Sequence, residues 1–134
     1  MRISTRSRYG LRAMVELSRA YGKGPVTARA ISDSEGISIS YLEHLLARLR
    51  QAGLVESVRG PGGGFRLAKV PTDISLLSII SALDGPVILC DCFEKSAVKL
   101  PCQRLDACAA KSLWEALNDK IQEALETTTL GHVS

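Results

Sequence analysis

The chain has 134 residues, 46% hydrophobic and only 4% aromatic, which suits one domain with a modest aliphatic core, or one small domain with an appended helical arm. A formal charge of +3 conceals an asymmetry: residues 1–69 carry 12 Lys and Arg against 5 Asp and Glu, whereas residues 70–134 carry 5 against 9. The first half has the field of a polyanion binder. No apolar run approaches a membrane span, and the arginine-bearing N-terminus lacks the hydrophobic segment of a secretory signal, so the sequence predicts a cytoplasmic protein with no membrane partner. In that reducing compartment the four cysteines point to metal or redox chemistry rather than structural disulfides.

From the N-terminus, Ser4 or Thr5 can cap a first helix running to about Tyr21, with Leu11, Met14, Val15 and Leu17 on its apolar stripe and Gly22 closing it. Gly24-Pro25 is a turn. Thr27 then caps a short second helix that ends near Gly36. A third helix starts at Ser40, where Glu43 three residues on completes a capping box, and Leu42, Leu45, Leu46 and Leu49 form its buried stripe. Gly53 supplies its left-handed C-terminal cap. Tyr41, Glu43, His44, Ala47, Arg48 and Arg50 fall off the stripe, toward solvent. Two short helices joined by a tight glycine turn read as a helix-turn-helix.

After it, Leu54–Val58 and Phe65–Leu67 alternate as strands around Arg59-Gly60-Pro61-Gly62-Gly63-Gly64, a hairpin with a slim, side-chain-poor tip. The hairpin makes the helix-turn-helix winged. The third helix can enter a major groove, where Arg50 offers paired donors to guanine and Glu43 accepts from cytosine N4. Ser38, Ser40 and Tyr41 at the helix entrance can donate to phosphates, although capping alone also accounts for Ser40. His44 has room to face the groove, although a lone surface histidine is ordinarily just solvated. Arg59, with Gly60, Pro61 and Gly62, has the size and charge to reach a minor groove. The glycines lead into a strand and lack the Gly-Lys-Ser/Thr ending of a nucleotide P-loop, which argues against nucleotide binding.

Past the wing, Asp73 or Ser75 can start a helix with Ile74, Leu76, Leu77, Ile79, Ile80 and Leu83, apolar on more than one side and ended by Gly85-Pro86. Cys90, Cys92, Cys102 and Cys108 follow in a C-x-C-x9-C-x5-C pattern. Clustered thiolates suit a soft metal or an iron–sulfur cluster, [2Fe-2S] or [4Fe-4S]. The spacing is neither that of a ferredoxin nor the paired C-x2-C of a zinc ribbon, so a thiol redox switch and inert cysteines stay open on spacing alone. A final helix from about Ala109 to Glu126 carries Leu113, Leu117, Ile121 and Leu125 at i+4 steps beside Trp114. The stripe can pack on its own domain or pair two subunits.

Several stretches together resemble the IscR/NsrR/RirA superfamily of bacterial winged-helix regulators: Met1 to Gly10, Ile37-Ser38-Ile39-Ser40-Tyr41-Leu42-Glu43, Leu54 to Phe65 with its Arg-Gly-Pro-Gly-Gly-Gly-Phe run, and Leu113-Trp114-Glu115-Ala116-Leu117. The likeness spans essentially the whole chain. It implies that Glu43 and Arg59 read DNA with Ser40 and Tyr41 beside them, and that His44 stands where the family has glutamine. It also implies that Cys92, Cys102 and Cys108 are cluster ligands and that the last helix forms a homodimer. The histidine ligand of IscR-type proteins corresponds to Lys111, and the acidic ligand of NsrR-type proteins to Arg8. Neither substitute suits a metal, so Cys90 becomes the candidate fourth ligand, with a residue of a partner subunit as the other option.

The sequence therefore predicts a mainly α fold with a small β-hairpin wing: a winged helix-turn-helix over residues 1–70, a connecting helix over 71–89, a cysteine loop over 90–108 and a dimerisation helix with its tail over 109–134. Function is expected to be sequence-specific binding of double-stranded DNA at a roughly palindromic operator, as a repressor or activator, under control of the cluster. Three rivals remain. The cysteines can serve as a thiol or zinc sensor on the same DNA-binding frame. The winged domain can bind protein, which predicts weak, salt-insensitive DNA binding. A thiol oxidoreductase built on Cys90-Asp91-Cys92 lacks a convincing general base, with only His44 and His132 available, so no enzyme is expected.

Overall fold

The computed structural model describes residues 3–89 and 109–133, so the expectations placed on Cys90, Cys92, Cys102 and Cys108 lie outside the described residues. The chain opens with α1 (Thr5–Arg19), whose N-cap is Ser4: its Oγ accepts the Ser7 N–H at 3.1 Å. Gly10, Ala13, Met14 and Leu17 form the buried face of α1, while Leu11 and Val15 are only half-buried. Thr27 caps α2 (Ala28–Glu35) by accepting from Ala30 N–H at 3.0 Å.

The next helix, α3 (Ile39–Gln51), corrects one expectation. Its N-cap is Ser38, whose Oγ accepts the Tyr41 N–H at 3.4 Å, so Ser40 lies inside the first turn and Glu43 closes no capping box with it. The reason is local: Ser38 follows directly on the turn after α2 and already has the extended backbone a cap needs, with φ −60° and ψ 143°. The C-terminal expectation agrees with the structure. Gly53 N–H donates to the Arg50 carbonyl and Leu54 N–H to the Leu49 carbonyl, both at 3.0 Å, with Gly53 at φ +79°; this is a Schellman closure. Leu42, Leu45, Leu46 and Leu49 are fully buried, each contributing about 1.5–3 kcal/mol of apolar transfer that holds α3 to the core.

The hairpin pairs β1 (Val55–Val58) with β2 (Gly64–Leu67), antiparallel, with Val55 opposite Leu67 and Val58 opposite Gly64. A bridge that the sequence did not announce adds a third stretch of chain beside β2. Val26 N–H donates to the Phe65 carbonyl at 2.8 Å and Phe65 N–H to the Val26 carbonyl at 2.7 Å, which pins the wing to the residue before the α2 cap.

A single 3₁₀ turn at Pro71–Asp73 leads to α4 (Leu76–Asp84), capped by Ser75, whose Oγ accepts the Ser78 N–H at 3.1 Å. Ile79, Ile80 and Leu83 are buried, and α4 packs on both α1 and α3. The last long helix, α5 (Lys111–Thr127), starts two residues later than expected and contains no buried residue. After it the chain turns back. Thr128 carbonyl accepts from Leu76 N–H at 2.7 Å, Leu130 N–H donates to the Ile74 carbonyl at 3.0 Å, and Leu130 is buried in a 3₁₀ turn spanning Leu130–His132. One hydrophobic core therefore joins Met14, Leu17, Ile31 and the four α3 leucines to Ile74, Ile79, Leu83 and Leu130.

Candidate nucleic-acid interface

With its leucine face committed to the core, α3 presents the opposite stripe to solvent: Ser40, Glu43, His44, Ala47, Arg50 and Gln51 are all exposed. Ser38 is exposed at the helix entrance and Tyr41 is half-buried beside it. The tip carrying Arg59, Gly60, Pro61 and Gly62 is exposed as well. Among the described residues, the side chains of Glu43, His44 and Arg59 make no hydrogen bond or ion pair. Two wing-side arginines are engaged: Arg66 Nε meets Glu56 Oε2 across the strands at 3.0 Å, and Arg50 Nη1 donates to Ser57 Oγ at 3.2 Å, tying the end of α3 to β1. The Arg66 pair is half-exposed and worth only about 0–1 kcal/mol. The surface thus combines a helix wide enough for a major groove with an uncommitted carboxylate, an uncommitted arginine and a narrow glycine tip.

Behind Tyr41 stands a support that the sequence did not reveal. Its ring meets Tyr9 edge to face, with centroids 6.1 Å apart at 89°, and the Arg12 guanidinium lies 5.2 Å from the Tyr9 centroid. Arg12 in turn donates to the Glu35 carboxylate at 2.9 Å and to the Glu35 carbonyl, so α1, α2 and α3 are joined at the foot of the helix entrance. The hydrogen bond from Arg12 holds the Glu35 carboxyl below its ordinary value, whereas burial and the neighbouring Glu35 raise that of Glu16.

A second support lies at the other end of α3. Arg48, which periodicity places among the outward residues, is half-buried and donates through Nη1 to the Leu83 carbonyl at 2.8 Å. Next to it the Asp84 carboxylate accepts from Ser4 Oγ and Ser7 Oγ, each at 2.5 Å, and pairs with Arg6 Nε at 3.1 Å. Burial pushes the Asp84 carboxyl up, but the two hydroxyls and Arg6 outweigh it and leave the group below its ordinary 3.8. A depressed folded value means that the ionised form stabilises the fold above the unfolded value and that this contribution is lost as pH falls through the folded value. Asp84→Asn is therefore expected to cost about 1–2 kcal/mol near pH 7 and progressively less as pH falls below the ordinary carboxylate value, flattening the acid limb of a stability–pH curve from chemical denaturation.

Among the described residues no group of histidine, cysteine or acidic side chains is arranged to hold a metal. Lys111, at the start of α5, pairs its Nζ with Glu115 Oε1 at 3.7 Å, and Arg8 is exposed on α1.

A helix-turn-helix, a β-hairpin wing and an exposed polar recognition face define a winged-helix transcriptional regulator. The model of the Rrf2 family, described as an iron-dependent transcriptional regulator, matches residues 3–134, and the chain belongs to that family. It is 41% identical over 133 residues to the HTH-type transcriptional regulator IscR of Escherichia coli (strain K12 / DH10B), a span of 99% of this chain and 80% of that protein. Its structure is similar to that of CymR (YrzC), the global cysteine regulator of B. subtilis, with a TM-score of 0.77 and 37% identity over 98% of this chain and 94% of that one. It is also similar to T. potens IscR, with a TM-score of 0.74 and 37% identity over 98% and 84%. The protein is thus a DNA-binding transcriptional regulator and not an enzyme.

Proposed function

We propose that this regulator reads a roughly palindromic operator as a homodimer and that an iron–sulfur cluster held by the 90–108 segment controls the reading. The observation that carries the DNA half is the pairing of an exposed, uncommitted Glu43 on α3 with an uncommitted Arg59 at the wing tip. In this reading Glu43 selects bases in the major groove, Arg59 enters the minor groove, and Ser38, Ser40 and Tyr41 hold phosphates. His44 and Arg50 complete the groove-facing set, and Gly60, Pro61 and Gly62 let the tip approach closely. Alanine at Glu43 is expected to relax base preference at one operator position by about 1–3 kcal/mol, whereas Arg59→Ala weakens binding and lowers its salt dependence. Selection from a random duplex pool and salt titrations of affinity read the two effects separately.

Support for the cluster comes from donor chemistry. Four thiolates within 19 residues fit an iron–sulfur group, and the family is described as iron-dependent. Lys111 is committed to an ion pair and Arg8 is a cation, so Cys90 joins Cys92, Cys102 and Cys108 as the donor set. When bound, a [2Fe-2S] or [4Fe-4S] cluster supplies an iron–thiolate group that oxidants attack. Anaerobically prepared protein is expected to be coloured, with iron and acid-labile sulfide that Cys102→Ala or Cys108→Ala removes. Colourless, iron-free protein after anaerobic reconstitution overturns this reading.

A specific observation favours a second reading. CymR, 36% identical here, has been solved in an oxidized form from Staphylococcus aureus, and the same four cysteines can act as a thiol switch. Thiol counting before and after oxidant, in protein free of iron and zinc, separates the two.

The homodimer rests on α5, where Leu113 is 72% exposed and Trp114 and Leu117 are each 43% exposed. A mainly apolar groove lined by Ile3, Leu11, Leu76, Ile80 and Leu125, with Ser7 and Arg8 also in its wall, runs beside it between α1, α4 and α5. Two copies joined there place two α3 helices about 34–36 Å, or a multiple of that, apart on one face of the duplex. No helix among the described residues is long and apolar enough to cross a membrane, and action on cytoplasmic DNA is the setting this reading requires.

A further inference from the structure

The last turn of α4 is an electrostatic anomaly. A helix C-terminus carries partial negative charge and is stabilised by cations, yet α4 has no basic residue in its last turn and ends on Asp84. The missing cations come from two other elements. Arg48 reaches from α3 to the Leu83 carbonyl, and Arg6 reaches from the first turn of α1 to the Asp84 carboxylate. Leu83 carbonyl is one of the helix-end acceptors left without an intrahelical partner, because the chain turns away at Gly85 and Pro86 has no N–H to offer. The position of this turn is thus fixed from outside α4, by the recognition helix on one side and the α1 entrance on the other.

The same turn leads into the cysteines. Residues 85–89 connect it to Cys90, and this short segment is held from α5: Gln122 Nε2 donates to the Val87 carbonyl, and Leu89 N–H to Asn118 Oδ1 at 3.4 Å. Residue 89 is thus tied to α5 and separated from the Leu83–Asp84 turn by residues 85–88 alone. From there the first polar link to the DNA-reading element is Arg48.

We propose that the Leu83–Asp84 turn is the coupling element between the cysteine segment and α3, with Arg48 and Asp84 as its positioning residues. The proposal rests on the reading that the state of the cysteines governs operator affinity. It specifies that the Arg48–Leu83 link is made in one state of the segment and weakened in the other, so that α3 takes two settings relative to the wing.

The test is a thermodynamic cycle on the full chain. Affinity for a duplex selected by the protein from a random pool is measured in two states: anaerobically reconstituted with iron and sulfide, and with Cys90, Cys92, Cys102 and Cys108 all changed to alanine. Coupling of the usual size makes the wild-type ratio about 5- to 150-fold. Arg48→Met, which keeps the stem and removes the donor, is expected to bring the ratio to within about twofold of one, and Arg48→Lys to restore part of it. Asp84→Asn provides the same reading if Arg48→Met does not fold, with thermal melting as the check on folding. A variant that weakens both states equally and keeps the wild-type ratio marks Arg48 as a scaffold residue and overturns the proposal alone. A wild-type ratio of one overturns the cysteine-control reading as well.

Discussion

Replacing Leu113 and Leu117 by glutamate is expected to give a monomer in solution and to lower operator affinity by about 10²- to 10⁴-fold, the range gained when two binding modules act on one ligand. Helix α5 is 17 residues long and amphipathic, yet buries none of its residues, and the apolar side chains at its N-terminal half stand open to water. Exposed leucines and a tryptophan at i, i+1 and i+4 are the pattern of an interface rather than of a solvated helix. Glutamate at both leucines places charge in the centre of that face, where desolvating it unpaired costs several kcal/mol. Residues Ile121 and Leu125 further along are half-buried against the rest of the subunit, so the substitutions leave the winged core intact. Light scattering after size exclusion gives the mass, and a titration against one half-site and the full operator gives the affinity. A double variant that remains a dimer shows that the subunits pair through another face.

The second large effect is expected at Gly64. A Cβ there would lie 2.4 Å from the Val26 carbonyl oxygen and 2.8 Å from Thr27 N, both backbone atoms, and the residue has φ +147°. Neither neighbour can step aside without breaking the Val26–Phe65 bridge. Gly64→Ala combines backbone strain with overpacking and is expected to cost about 2–4 kcal/mol. That cost corresponds to a fall in Tm of roughly 6–16 °C in a chain of this size. Gly62→Ala is the control. It has φ +74° but nothing within 4 Å of its added Cβ, so it pays strain alone, about 1–2 kcal/mol. Because the lost bridge is what anchors the wing, Gly64→Ala is also expected to reduce DNA affinity under conditions where the helical core remains folded by circular dichroism. Equal melting temperatures for the two variants contradict this account.

The elements whose causes are local are legible in the sequence. Gly53 closes α3 because a single residue must adopt a left-handed backbone, and the leucine stripe of α3 is a matter of period alone. The cap of the same helix lies two residues before the expected Ser40, because Ser38 and Ser40 are equal in chemistry. Glu43 favoured the wrong one, and only the turn after α2 decides between them. Arg48 looked exposed on a helical wheel; its partner is 35 residues away on α4, and no periodicity carries that information. The same holds for Asp84 and Ser4, 80 residues apart. The tail was uninformative by pattern. Leu130, which follows three threonines there, proves to be core. At the interface, exposure of Glu43, His44 and Arg59 follows from the stripe and the glycine tip, whereas the Tyr9–Arg12–Glu35 support under Tyr41 needs three helices in place first.

The docking of that tail has a mechanical meaning. Thr128 and Leu130 are hydrogen-bonded to Leu76 and Ile74, so the chain that departs with α4 returns with α5 to the point it left, and the excursion between them is closed at its base. Such a closed loop works as a lever with one fixed end: α4 and α5 cannot swing away from the winged core at Ser75 and Thr129, where the fulcrum lies. The far end of the α4 arm is its Leu83–Asp84 turn, gripped by Arg48 and Arg6.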